Sequence, residues 1–260
     1  MSNRVPSSLY NIMQTPPQDG PALSVVVPMY NEAENAAILI GEIADALRSK
    51  VAFEIVAVND RSTDNTADVL AGLKQSFPEL RPLSHEKNAG QSRSVRTGIM
   101  AARGPVISTL DGDGQNNPAD IPALYAALTR DDAPASLMMV AGERQKRRDT
   151  AAKRYASRIA NGIRKNLLGD DANDTGCGLK VFYRDAFLRL PYFDHIHRYL
   201  PALMKREGYD VEFMPVSAPE RLYGQSKYTN FQRAAVAIRD LMGVMWLKSR
   251  HRHPGDIDEL

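Results

Sequence analysis

Asp111 and Asp113 stand one residue apart on a turn with Gly112 and Gly114, directly after the apolar run Val106 to Leu110. Two carboxylates at that spacing can share a hard divalent cation, because such ions take oxygen ligands. The plainer alternative is a tight Asp-Gly turn, which accounts for most tripeptides of this kind. Two other short apolar runs also end in polar clusters, Pro28-Met-Tyr-Asn-Glu32 and Asn59-Asp-Arg-Ser-Thr-Asp64. Open parallel α/β sheets bind their ligands at the carboxyl ends of the strands. Three loaded strand ends therefore point to one site, and favour the cation. No Ser-His-Asp set is identifiable, and the five histidines lack metal-ligand spacing. His85, His251 and His253 lie outside any motif and are expected to be exposed; His195 and His197 flank a helix and read as structural. Cys177, the one cysteine, is expected to be a small buried apolar residue.

These residues need elements to hold them. Leu23 to Pro28, Phe53 to Val58, Leu80 to Ser84 and Val106 to Leu110 are short apolar runs that read as buried strands. Between them Ala36, Ile40, Ile43 and Leu47 recur at helical spacing, as do Val69, Leu70, Leu73 and Phe77. Asn31 with Glu34 reads as a capping box for the first helix. Further helices are expected after Asn88-Ala-Gly90 and from Pro118 through Leu128. This alternation predicts an α/β domain with a mostly parallel central sheet flanked by helices. Later strands are expected at Leu137 to Ala141, Leu179 to Tyr183 and Val211 to Val216, with a helix from Phe193 to Glu207. Residues 1–21 lack periodicity and read as a disordered tail. Residues 22–228 would form one domain, and 229–260 a closing amphipathic helix with a basic tail.

The chain has 260 residues, 43% of them hydrophobic and 25% charged, which excludes disorder, collagen and a disulfide scaffold. A single cysteine cannot form an internal disulfide, so a reducing compartment is expected. No window reaches the ~18 apolar residues of a membrane span. The closest, Ala234 to Leu247, is broken by Arg239 and Asp240. The first residues lack the apolar stretch of a signal peptide. A cytoplasmic protein is expected, or one on the cytosolic face of a membrane. The net charge of +2 hides an asymmetry. Nine Lys/Arg and one acid fall between Arg144 and Lys165, a segment expected to be helical, whereas the rest carries 24 basic and 30 acidic residues. Such a run is either a solvated helix face or an anion site for phosphates or an anionic membrane.

The set of motifs resembles family 2 glycosyltransferases of the GT-A fold, whose donors are nucleotide sugars. Leu23 to Glu32 matches the opening strand and the Pro-x-Tyr-Asn-Glu turn. Val58 to Asp64 matches the Val-Asp-Asp-x-Ser-x-Asp element, with Asn59 where the first Asp is usual. Asn88-Ala-Gly90 and Asp111-Gly-Asp113 complete the pattern. The resemblance implies that Pro28, Tyr30, Glu32 and Asp60 hold base and ribose, that Asp111 lies by the ribose and the metal, and that Asp113 binds the metal. It further implies a Mg²⁺ or Mn²⁺ cofactor and a GDP- or UDP-linked donor.

The second half is similar to polyprenol-phosphate sugar synthases, the group that includes dolichyl-phosphate mannosyltransferase. In that group a Gln after the Asp-x-Asp helps bind metal, which Gln115 matches. Gly142-Glu-Arg144, Lys153-Arg154, Ser157 and Asn161 resemble the segment that receives the lipid phosphate. Asp174 to Lys180 resembles the Asp-x-Thr-Ser-Gly-Phe-Lys turn, with Gly176 and Cys177 replacing Thr and Ser. Arg221, Gly224, Ser226 and Lys227 match an Arg-x-x-Gly-x-Ser-Lys element whose Arg and Lys close over the donor phosphates. The implied acceptor-phosphate group is Arg144, Arg154, Ser157 and Asp174; the implied catalytic group is Asp111, Asp113, Arg221 and Lys227. Joining two anions requires cations to offset their repulsion and to stabilise the leaving diphosphate. A phosphate acceptor is already ionised at neutral pH and needs no strong base. The reading is an inverting transfer to polyprenyl phosphate. Its rival is transfer to a hydroxyl of a glycan or glycolipid, with Asp174 as the candidate base.

Phe231, Ala234, Ile238, Leu241, Met242 and Met245 share one face of the last helix, widened by Val244, Trp246 and Leu247. Core packing is the default reading of that stripe. Lys248, Arg250, His251 and Arg252 follow at once, as in an interfacial helix. The expected partners are the nucleotide sugar, a polyprenyl phosphate, a membrane surface and a membrane-anchored partner subunit, with no nucleic acid.

Overall fold

The computed structural model describes residues 20–144, 162, 164–217 and 230–252. Seven strands form one sheet: β1 (Leu23–Met29), β2 (Phe53–Asn59), β3 (Leu80–Ser84), β4 (Val106–Thr109), β5 (Leu137–Arg144), β6 (Lys180–Tyr183) and β7 (Asp210–Val216). Their order is β3-β2-β1-β4-β6-β5-β7. β6 runs antiparallel to both β4 and β5, and every other pairing is parallel. The strands other than β6 therefore present their carboxyl ends to one edge. All seven residues of β1 are buried, the pattern of a strand covered on both faces.

Helices α1 (Ala33–Leu47), α2 (Thr66–Leu73), α3 (Gln91–Ala101) and α4 (Ile121–Thr129) follow β1 to β4 in turn. Asn35, Ala36, Leu39, Ile40, Ile43, Ala44 and Leu47 form the buried face of α1, close to the expected stripe. α3 lies flush on the sheet because Gly98 has no side chain. A Cβ there would run into Val26 and lie 3.2 Å from Val58 Cγ2. The later helices are α5 (Arg184–Leu188), α6 (Leu200–Arg206) and α7 (Asn230–Arg250).

Three expectations are corrected. Asn31 does not cap α1: the helix begins after Glu32 with no side-chain cap, and Asn31 takes a left-handed conformation (φ 55°). Its amide serves a neighbouring loop instead. The helix expected over 193–207 is only α6 preceded by one 3₁₀ turn at Ile196–Arg198, because His195 (φ 65°) breaks the run. His85 and His251 are not exposed. The His85 ring bridges Asp60 (2.8 Å) and Thr97 (2.9 Å), and His251 is half-buried near Glu207. Of the tail expected over residues 1–21, residues 1–19 lie outside the described residues, as does most of the basic segment.

The closing helix also differs from the expectation of a single stripe. Val244 is buried, and Leu241 and Leu247 pack on the core. Ile238 (59% exposed), Met242 (59%), Met245 and Trp246 (62%) instead face outward at helical spacing. α7 thus carries two apolar faces. Its inner one is fixed by His195 to Asp240 (2.9 Å) and by Tyr199, whose hydroxyl donates to the Ala237 carbonyl (3.2 Å). Lys248 donates to the Leu168 carbonyl. No described helix is long and apolar enough to cross a membrane.

Candidate active site

The carboxyl ends of β1, β2 and β4 surround a cavity of about 440 Å³. Pro28, Tyr30 and Glu32 line it from β1, Asp60 from β2, and Asp111 to Asp113 from β4. Asn88, Gly90 and Gln91 close it at the start of α3. Sequence separation up to 85 residues is thereby brought to one wall by parallel topology alone.

The turns after β1 and β2 are tied to each other. The Asn31 Oδ1 accepts from the Thr63 N–H (2.7 Å), and the Asn31 N–H donates to Ser62 Oγ (3.0 Å). The Glu32 N–H donates to Thr66 Oγ1 (2.9 Å). Asn59 is buried within this knot, accepting from the Ser62 N–H (3.0 Å) and donating to Ser84 Oγ (3.1 Å). The departure from the family's usual Asp therefore falls on a residue that supports the loops.

Asp60 is buried and accepts the Ala89 and Gly90 N–H groups at 2.9 and 2.8 Å, besides the His85 ring. Asn88 donates to its carbonyl (2.9 Å). The carboxylate thus shapes the turn that enters α3, and Gly90 meets this with φ 86°. Asp111 is held by its N–H, which donates to Asn116 Oδ1 (3.1 Å), and by Gln91 Nε2, which donates to its Oδ1 (2.7 Å). Burial, and then repulsion by Asp113, push the Asp111 carboxyl up to about 6. Asp113 Oδ1 accepts from the Gln115 N–H (3.2 Å). The Gln115 side chain is not part of the cavity wall.

Arg144, at the end of β5, makes a bidentate pair with Asp174 at 2.6 and 2.8 Å, both side chains largely buried. It is close enough to oppose the rise in the Asp111 pKa. Lys180 opens β6 between β4 and β5, fully buried, and donates to the Cys177 carbonyl. Burial lowers its pKa, while Cys177, Asp111 and Asp174 work against the fall. The Cys177 thiol is buried and pushed up by desolvation, so it packs rather than reacts. Gly178 lets the backbone pass directly under Asp111. A Cβ there would overlap the carboxylate and lie 2.7 Å from Asn116 Oδ1.

The structure thus gathers Pro28, Tyr30, Glu32, Asp60, Asp111 and Asp113 around one cavity, with Arg144 and Asp174 nearby. Arg154, Ser157, Arg221 and Lys227 lie outside the described residues. Gln91, Asn116 and Lys180 went unassigned in the sequence. Gln91 directly follows Asn88-Ala-Gly90, which was a usable signal; Asn116 had none.

Two hard-oxygen carboxylates, Asp111 and Asp113, on one turn at the cavity form a donor set suited to Mg²⁺ or Mn²⁺. Among the described residues no third His, Cys, Asp or Glu completes a cation cage. A metal there would need oxygens from a ligand such as a diphosphate.

The family model "Glycosyl transferase family 2" matches residues 24–190. A dodecaprenyl-phosphate galacturonate synthase of Rhizobium johnstonii is 31% identical over 238 residues, 90% of this chain and 69% of that protein. An undecaprenyl-phosphate 4-deoxy-4-formamido-L-arabinose transferase of Edwardsiella ictaluri is 31% identical over 209 residues, 79% of this chain and 62% of that protein. The chain thus spans about two thirds of the length of these relatives. Among solved structures, glucosyl-3-phosphoglycerate synthase of Mycobacterium tuberculosis, with Mn²⁺, UDP and product, superposes with a TM-score of 0.66. It has 13% identity and covers 96% of this chain and 86% of its own. A Pyrobaculum calidifontis mannosyltransferase with GDP-mannose and Mn²⁺ gives 0.64 at 17% identity, over 95% and 72%. Both share the GT-A fold with this chain.

Proposed function

The chain belongs to glycosyl transferase family 2, and from that premise we propose that it moves a sugar from a nucleotide donor to a polyprenyl phosphate, with inversion at the anomeric carbon. The observation that carries this reading is the cavity shared by Tyr30, Glu32, Asp60, Asp111 and Asp113, with Arg144 beside it. Asp60 and the β1 end receive base and ribose. Asp111 and Asp113 would hold the metal, which neutralises diphosphate charge when bound. Arg144 carries N–H groups beyond those on Asp174, and these would serve the acceptor phosphate. By resemblance to the polyprenol-phosphate sugar synthases, Arg154 and Ser157 would serve the acceptor phosphate, and Arg221 with Lys227 the donor phosphates. The relatives named for dodecaprenyl and undecaprenyl phosphate support this acceptor class.

The geometry disfavours transfer to a hydroxyl. Such an acceptor needs a base, and both oxygens of Asp174 are engaged by Arg144. A phosphate oxygen needs none. The outward apolar face of α7, flanked by Arg250 and Arg252, suits a protein working at the cytosolic surface of a membrane, where a lipid acceptor resides. The test is release of UDP or GDP from a panel of nucleotide sugars with Mn²⁺. Release that depends on added polyprenyl phosphate supports the reading, and release unchanged by it counts against it.

A further inference from the structure

The Asp111 carboxylate sits in a slot with three walls. Gly178 backbone lies against one face, and Asn116 fixes the Asp111 N–H at 3.1 Å. The third wall is Gln91, whose Nε2 donates to Asp111 Oδ1 at 2.7 Å. Among the described residues this is the only hydrogen bond to the Asp111 side chain. Lys180 and Arg144 act on it through their charge. Asn116 is buried and Gly178 half-buried, whereas Gln91 is exposed at the first turn of α3 and lines the cavity.

We propose that Gln91 is a positioning residue for the donor site: its amide holds Asp111 in the one orientation that receives the nucleoside diphosphate and its cation. The inference rests on the donor-site reading above and adds a residue to it. A hydrogen bond to a charged acceptor is among the stronger ones, because the ionised oxygen gains more from a fixed donor than a neutral one does. Asp111 has reason to turn away, since Asp113 repels it. Gly178 and Asn116 block the inner side, so an outer donor is what keeps the carboxylate from swinging toward solvent. α3 supplies that donor at its first residue, where the start of the helix is fixed by Asp60 accepting the Ala89 and Gly90 N–H groups. One chain of bonds thus runs from Asp60, through the start of α3, to Asp111.

Calorimetric titration of UDP and of GDP in the presence of Mn²⁺ tests this on the full chain. Gln91→Met keeps the length and removes the donor; Gln91→His restores a ring N–H of similar reach at pH 8. The expected result is a nucleotide affinity about three- to tenfold weaker for Gln91→Met, the loss of one charge-assisted bond at an exposed site. Gln91→His recovers most of it, and both keep the wild-type melting temperature. Gln91→Met binding as tightly as wild type, or Gln91→His as weakly as Gln91→Met, would overturn the inference. Wild type binding neither nucleotide would overturn the donor-site reading itself, and this assignment with it.

Discussion

At Asp111 stability and function pull in opposite directions. Its carboxyl stands at about 6 in the folded protein against 3.8 unperturbed, so the folded chain holds this proton more tightly than the unfolded one. Stability from this group is therefore full below pH 3.8 and is lost as pH rises through about 6. At neutral pH the ionised carboxylate costs up to about 3 kcal/mol. Asp111→Asn should raise the melting temperature of the metal-free protein, and by more at pH 8 than at pH 5. With UDP and Mn²⁺ present the order should reverse, since only the carboxylate gains from the cation. Melting curves of both proteins under the four conditions check this; an Asp111→Asn gain that is equal at both pH values would refute the assigned shift. Asp113→Ala should abolish turnover with the fold intact, as circular dichroism beside the activity assay would show. The Asp-x-Asp pair, Asp60 and Glu32 were legible in the sequence because each ends an apolar run. Gln91 carried only the hint of following Asn88-Ala-Gly90, and Lys180 gave no sign of its role, because both depend on partners that the fold brings beside them.

Two glycines separate the work of elements. Gly98 seats α3 on β1 and β2, and Gly178 carries the loop before β6 under Asp111. An added methyl at either place overpacks by about 1–3 kcal/mol. Gly98→Ala should lower stability and leave nucleotide affinity nearly unchanged. Gly178→Ala should also weaken UDP–Mn²⁺ binding, since the carboxylate must move. Urea unfolding paired with titration distinguishes them, and equal effects on binding would contradict the placement of the loop. The parallel half of the sheet was readable from its periodicity. The antiparallel insertion of β6 was not, because a lysine and three apolar residues carry no direction. Yet β6 is what brings Lys180 and the 174–179 loop between the ends of β4 and β5. The doubled apolar surface of α7 was equally hidden: a wide stripe looks the same whether one face or two are used.

For the whole molecule, the outward face of α7 and the basic residues after it bear on where the protein works. Lys248 is anchored to the Leu168 carbonyl, so Arg250 and Arg252 are the cleaner charges to remove. Each contributes about 1 kcal/mol near an anionic leaflet, a share that fades with salt. Arg250→Gln with Arg252→Gln should reduce flotation with anionic liposomes at low salt. Trp246→Ala should reduce it at all salt concentrations, because burial of apolar surface is insensitive to salt. Flotation unchanged in both would return α7 to an internal role. The central claim is the acceptor. The same donor, metal and enzyme are offered a short polyprenyl phosphate and the matching polyprenol, and the lipids are weighed by mass spectrometry. The expected result is one sugar added to the phosphate-bearing lipid and none to the alcohol; a glycosylated alcohol, with the phosphate untouched, would contradict it.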